Sequence, residues 1–165
     1  MSPLPRPALS GIGRWAHGTY DPVVSYEVHL FRFQRGECID IDAARLLEMI
    51  QPLILWRQQE FDYVRVRAAD GGEADLYGVC EDAATLMFDH WSWGGICELM
   101  AKLAWELDMI IVPPDRPVMI IAERQRPHLP KDLAVEAVVV RTGIDIQRVI
   151  NPASLGEAAE TRDLD

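Results

Sequence analysis

Between residues 68 and 101 the chain has no lysine and no arginine. That window holds Asp70, Glu73, Asp75, Glu81, Asp82, Asp89 and Glu98, a net charge of −7, whereas residues 1–67 and 102–156 are each balanced. Glu157, Glu160, Asp163 and Asp165 against Arg162 supply the rest of a formal −10. A deficit of bases excludes the usual nucleic-acid binder, which displaces counterions from phosphates with Lys and Arg. It also disfavours an anionic membrane surface. Long apolar runs are missing: no segment approaches the roughly 18 residues of a membrane span. The opening MSPLPRPALSGIGRW has prolines where a secretory signal needs a charged start and an apolar run. Cysteine is scarce, with Cys38, Cys80 and Cys97 far apart and no CxxC pair. This spacing excludes a disulfide framework or a Cys₄ zinc site, and it predicts reduced thiols in a cytoplasmic protein.

What is present predicts one globular domain. Residues 1–20 are rich in Pro and Gly and read as an N-terminal arm, residues 21–151 as a single α+β domain, and residues 152–165 as an acidic flexible tail. VVSYEVHLFRF alternates apolar and polar residues, the pattern of a half-buried strand closed by Gly36. Asp40 or Asp42 caps a helix carrying Leu46, Leu47 and Ile50, whose stripe continues past Pro52 through Leu53, Ile54 and Arg57 toward Gln59. YVRVRA and ADLYGV flank Asp70-Gly71-Gly72 and predict a hairpin, with Thr85–Trp91 as a neighbouring strand. After Gly94-Gly95, Ile96, Leu99, Met100, Leu103 and Leu107 form the clearest helical stripe. DMIIV and VMIIA predict a second hairpin, RQRPHLPKDL a loop, VEAVVVR a last strand and GIDIQRVI a short helix. Helices segregated from hairpins predict α+β: a mostly antiparallel sheet with two main helices packed on one face.

Catalytic signatures are weak. Cys97 follows two glycines at a helix start, where unpaired N–H groups lower a thiol pKa. With His128 as base, oriented by Asp132 or Asp145, it would make a small Cys/His hydrolase site; the plainer alternative is a thiol packed in the core. Glu27 with His29, Asp40 with Asp42, and Asp89 with His90 are generic pairs, and no HExxH or DxDxDG run accompanies them, so neither a metal nor another cofactor is expected. GIGRWAHG lacks the strand before it and the helix after it that a phosphate loop requires. In FDHWSW, an extended chain sends Asp89, Trp91 and Trp93 to one side and His90 to the other. Tryptophan beside carboxylates is the composition of an interface anchor, although both rings could instead fill the core.

The stretch CELMAKLAWELDMIIVPPDRPVMIIAERQRPHLPKDL, with its helix, apolar-Pro strand and HLP loop, resembles small bacterial proteins of uncharacterised type, some of which accompany polymorphic toxins as immunity proteins. The resemblance implies a bacterial cytoplasmic setting and an inhibitory role; it assigns no functional residue. Joined to the acidic window, it leads to the expectation of a non-enzymatic inhibitor of a cationic toxin or effector domain. Its partner would be a protein with a basic surface, neither nucleic acid nor membrane. The expected contact residues are Asp70, Glu73, Asp75, Glu81, Asp82, Asp89, Trp91 and Trp93. The Cys97/His128 hydrolase and a phage or bacterial structural or adaptor protein are the alternatives.

Overall fold

The computed structural model describes residues 26–155. The 1–20 arm with GIGRWAHG, the start of the first expected strand, and the tail from residue 156 onward lie outside the described residues. The described elements run β1 (Val28–Gln34), β2 (Glu37–Ile39), α1 (Ala43–Ile50), β3 (Ile54–Gln58), β4 (Tyr63–Arg67), β5 (Glu73–Tyr77) and β6 (Thr85–Asp89). They continue through α2 (Gly95–Glu106), β7 (Ile110–Val112), β8 (Met119–Ile120), α3 (Lys131–Glu136), β9 (Val138–Val139) and α4 (Gly143–Ile150).

Local chemistry accounts for most boundaries. The Asp42 carboxylate accepts from the Arg45 N–H at 3.0 Å and starts α1, satisfying a donor that has no partner inside the helix. Pro52 then ends the helix in a short 3₁₀ turn, and Ile54–Gln58 becomes strand β3 instead of a helical continuation. The stripe seen in the sequence is overridden there. Pro52 has no N–H to continue the helix, and Ile-Leu-Trp favours an extended chain beside the available edge of β4. α4 opens on a capping box, with the Thr142 hydroxyl accepting from the Asp145 N–H and the Asp145 carboxylate accepting from the Thr142 N–H.

Among the described residues the strands form one nine-stranded sheet, ordered β3-β4-β5-β6-β1-β7-β8-β9, with β2 paired to β1. Every pairing is antiparallel except β8 with β9, which makes the fold α+β with a mostly antiparallel sheet. Val64, Leu76, Leu86 and Phe88 from the inner face form one core with Leu46 of α1, Met100 and Leu103 of α2, and Ile146 of α4. α4 meets the start of α2 closely: a Cβ on Gly143 would lie 2.4 Å from the Glu98 backbone nitrogen.

The outer face is covered unequally. Ile110, Val118, Ile120, Leu129 and Ala137 form a second cluster with Phe31, Phe33 and Leu133, over β1, β7 and β8. That cluster does not extend to β3, β4, β5 or β6. No helix among the described residues is long and apolar enough to cross a membrane.

Candidate functional site

The half of the sheet that the described residues leave uncovered is built by the hairpin around Asp70. Its register pairs Arg67 with Glu73, Arg65 with Asp75 and Tyr63 with Tyr77. Because Val64, Val66, Ala74 and Leu76 face the core, period-two alternation sends these six side chains outward. β6 extends both rows by setting Asp89 opposite Asp75 and Met87 opposite Tyr77.

The first row is ionic. Asp75 and Asp89 are each only 7% exposed and face one another across the ladder. At cross-strand spacing, two such carboxylates would repel by roughly 3 kcal/mol at an effective dielectric of about 20. The neighbouring donors offset this. Arg65 Nη1 and Tyr63 Oη both donate to Asp75 Oδ1, the hydroxyl at 2.6 Å. His90 Nδ1 lies 3.0 Å from Asp75 Oδ2 and 3.3 Å from Asp89 Oδ2, while the His90 N–H donates to Asp89 Oδ1 at 2.7 Å. Since a carboxylate only accepts, these contacts place the imidazole proton on Nδ1. Arg65 and Arg67 share Glu73, and hydrogen bonds from Arg67, then Arg65, hold that carboxyl below its usual range. Burial first and Asp75 second push the Tyr63 phenol up to about 12.

His90 also corrects the extended reading of FDHWSW. β6 stops at Asp89 and His90 adopts φ +45°, so its ring folds back onto the carboxylates it was expected to oppose. The break also redirects the tryptophans. Trp91 is 9% exposed, within the main core, and its Nε1 donates to the Tyr26 carbonyl at 2.8 Å. Trp93 stacks edge-on against Trp91 at 4.9 Å and remains partly exposed.

The second row is aromatic. Trp56 of β3 meets Tyr63 edge-on at 4.8 Å, and Tyr63 stacks on Tyr77 at 4.7 Å. Trp56 is 47% exposed, and Phe61 in the β3–β4 turn is 63% exposed. Beyond this row, the Gly78 and Val79 N–H groups donate to the Asp62 carbonyl and join the 59–62 turn to the loop after β5. Glu60, Asp62, Glu81 and Asp82 are therefore gathered at one end of the sheet, all exposed and none in an ion pair among the described residues.

The acidic window does not form one face. Asp70 accepts from the Gly72 N–H at 3.0 Å and the Gly95 N–H at 2.8 Å, bonds that hold its carboxyl below the usual range and anchor the hairpin to α2. Glu98 accepts from the Gly143 N–H at 2.7 Å and ties α2 to α4. Glu73, Asp75 and Asp89 are held by contacts within the row, and Glu81 and Asp82 lie at the far end of β5 from Asp70. Five residues of strand put roughly 17 Å between those ends, twice the Debye length of about 8 Å at physiological salt. The expected eight contact residues thus separate: Glu81 and Asp82 rim the aromatic row, Glu73 is paired with Arg65 and Arg67, Asp75, Asp89 and Trp91 are buried, Trp93 is partly exposed against Trp91, and Asp70 is a structural brace.

The Cys97/His128 pair does not assemble either. Cys97 is fully buried on the helical side of the sheet, and burial pushes its thiol up to about 12. His128 instead braces the β1–β2 turn, its Nδ1 accepting from the Arg35 N–H and its carbonyl from the Gly36 N–H, beside the outer-face cluster that contains Leu129. Among the described residues no group of three or more His, Cys, Asp and Glu is arranged to hold a metal. Trp56, Phe61, Tyr63, Arg65 and Tyr77 are the residues the acidic window left out. The signal that finds them is register: a turn centred on Asp70 pairs Tyr63 with Tyr77 and Arg65 with Asp75 by counting alone. No protein-family model, curated protein or solved structure matches this chain.

Proposed function

We propose that this chain is a non-catalytic, cytoplasmic binding protein that uses the outer face of β3–β6 to dock a protein partner with a basic surface. The observation that carries this reading is the aromatic row Trp56–Tyr63–Tyr77, exposed at Trp56 and half-buried at the tyrosines, with exposed Phe61 beside it and a rim of Glu60, Asp62, Glu81 and Asp82 that forms no ion pair among the described residues. Aromatic anchors at the centre and charge at the edge are how binding energy and partner choice are divided in protein interfaces. The neighbouring row of buried carboxylates, bonded to Arg65, Tyr63 and His90, supports a rigid platform, so little conformational entropy is lost on docking. In its most concrete form the partner is a cationic toxin domain and the chain its immunity-type inhibitor. The acidic rim would accelerate capture and the rings would slow release.

Affinity capture from cytosolic extract of the encoding cell tests this with two baits, the full chain and its Trp56→Ala/Phe61→Ala variant. The expected result is a basic protein retained by the first at low salt, released at high salt, and lost from the second. Retention of the same proteins by both baits would refute the assignment.

A further inference from the structure

On the opposite edge of the molecule, far along the sheet from β3, the β9–α4 connection and the β7–β8 turn enclose a cleft of about 600 Å³. Its lining combines Val138, Val140 and the exposed Pro152 with Arg116, Arg141, Arg148 and Asp145. The chain has 26 acids against 16 bases. Yet Arg116 and Arg141 form no ion pair among the described residues, and Arg148 reaches Asp145 only at 3.9 Å. Asp145 is itself committed: its Oδ2 accepts from the Arg141 N–H at 2.9 Å and the Thr142 N–H at 3.1 Å. Those bonds, that from Arg141 foremost, hold its carboxyl below the usual range. Of the first donors of α4, the Gly143 N–H is taken by Glu98 and the Asp145 N–H by the Thr142 hydroxyl. Three guanidinium groups therefore line this cleft beside one carboxylate.

We propose that this cleft is a binding site for a small organic oxyanion, a phosphate or carboxylate head on an apolar body. Planar guanidinium groups form paired hydrogen bonds to such heads and are held less tightly by water than an ammonium group. The valine and proline lining takes the apolar part, in the pattern of pockets that use few polar groups for orientation and apolar surface for affinity. The site is independent of the β3–β6 face and does not require the protein partner.

Titration of the full chain with phenyl phosphate, inorganic phosphate and benzyl alcohol at fixed ionic strength, followed by amide NMR shifts, tests the proposal. Phenyl phosphate is expected to shift residues 138–148 in a saturable way and to bind roughly tenfold tighter than inorganic phosphate, with benzyl alcohol weaker still. Arg141→Gln/Arg148→Gln should weaken phenyl phosphate by about tenfold or more, with an unchanged melting curve, whereas Arg45→Gln, remote from the cleft, should not. Equal binding of the two phosphates, or shifts unaffected by the Arg141/Arg148 changes, would overturn it.

Discussion

Asp75 carries more of the outer face than any neighbour, since it accepts from Tyr63 and Arg65 and contacts His90 while almost fully buried. Asp75→Ala leaves Arg65 and His90 without their carboxylate and should destabilise the fold by about 3 kcal/mol, measurable by urea denaturation. Asp75→Asn keeps the shape but removes the charge; it should cost nearly as much if the bonds are charge-assisted. Acid should act through the same class of group. Asp70, Glu73 and Asp145 are all held below their ordinary range, so their contribution is complete above the unfolded carboxyl pKa and is lost as pH falls through the folded values. The melting temperature is therefore expected to fall as pH drops below about 4, with a shallower fall for Asp145→Asn. Cysteine behaves oppositely. Cys97, protonated up to about 12, should stay unlabelled by iodoacetamide in the native protein while exposed Cys38 reacts, as peptide mass spectrometry would register.

At the scale of elements, the contact between α2 and α4 is the tightest test of packing. Gly143 faces the Glu98 backbone with no room for a methyl group, so Gly143→Ala must push α4 away and should cost about 1–3 kcal/mol in thermal or chemical denaturation. Thr142→Ala removes only half of the capping box and should cost about 1 kcal/mol. What the sequence made legible follows the same physics. Alternation in Tyr63–Arg67 and Glu73–Tyr77, the Asp70 turn and the stripe of α2 are local signals, and each became the expected element. β3 was hidden because the residues after Pro52 continue a helical spacing, and the choice of strand was made by the partner edge of β4. The parallel β8–β9 pair was hidden because its partners are separated by a loop and a helix, with no local pattern linking them. The candidate face fell between these cases. Its rows were countable from the hairpin, but the left-handed turn at His90 that draws the imidazole onto Asp75 and Asp89 has no sequence signature beyond the end of β6.

Across the whole molecule, charge is spread in a way its linear clustering concealed. A run of seven carboxylates without a base folds into a brace at α2, a tie to α4, a hydrogen-bonded row and an exposed corner. Only the corner, where Glu81 and Asp82 meet Glu60 and Asp62, remains available for steering. Reversing Glu81 and Asp82 to Lys should therefore slow association with the basic partner and flatten its dependence on ionic strength, leaving dissociation nearly unchanged. Reversing Asp70 should instead loosen the hairpin from α2, an effect read in stability. On the opposite edge, Arg116, Arg141 and Arg148 line one cleft beside Asp145.

The most direct test of the docking face is the dissociation rate of the captured partner, measured by surface plasmon resonance for the full chain and for Trp56→Ala/Tyr77→Ala. Both rings are partly exposed and lie on the uncovered side of the sheet, so circular dichroism should be unchanged. Dissociation at least about tenfold faster, equivalent to about 1.4 kcal/mol, is the predicted result. A rate equal to that of the unaltered chain would contradict the assignment of this face.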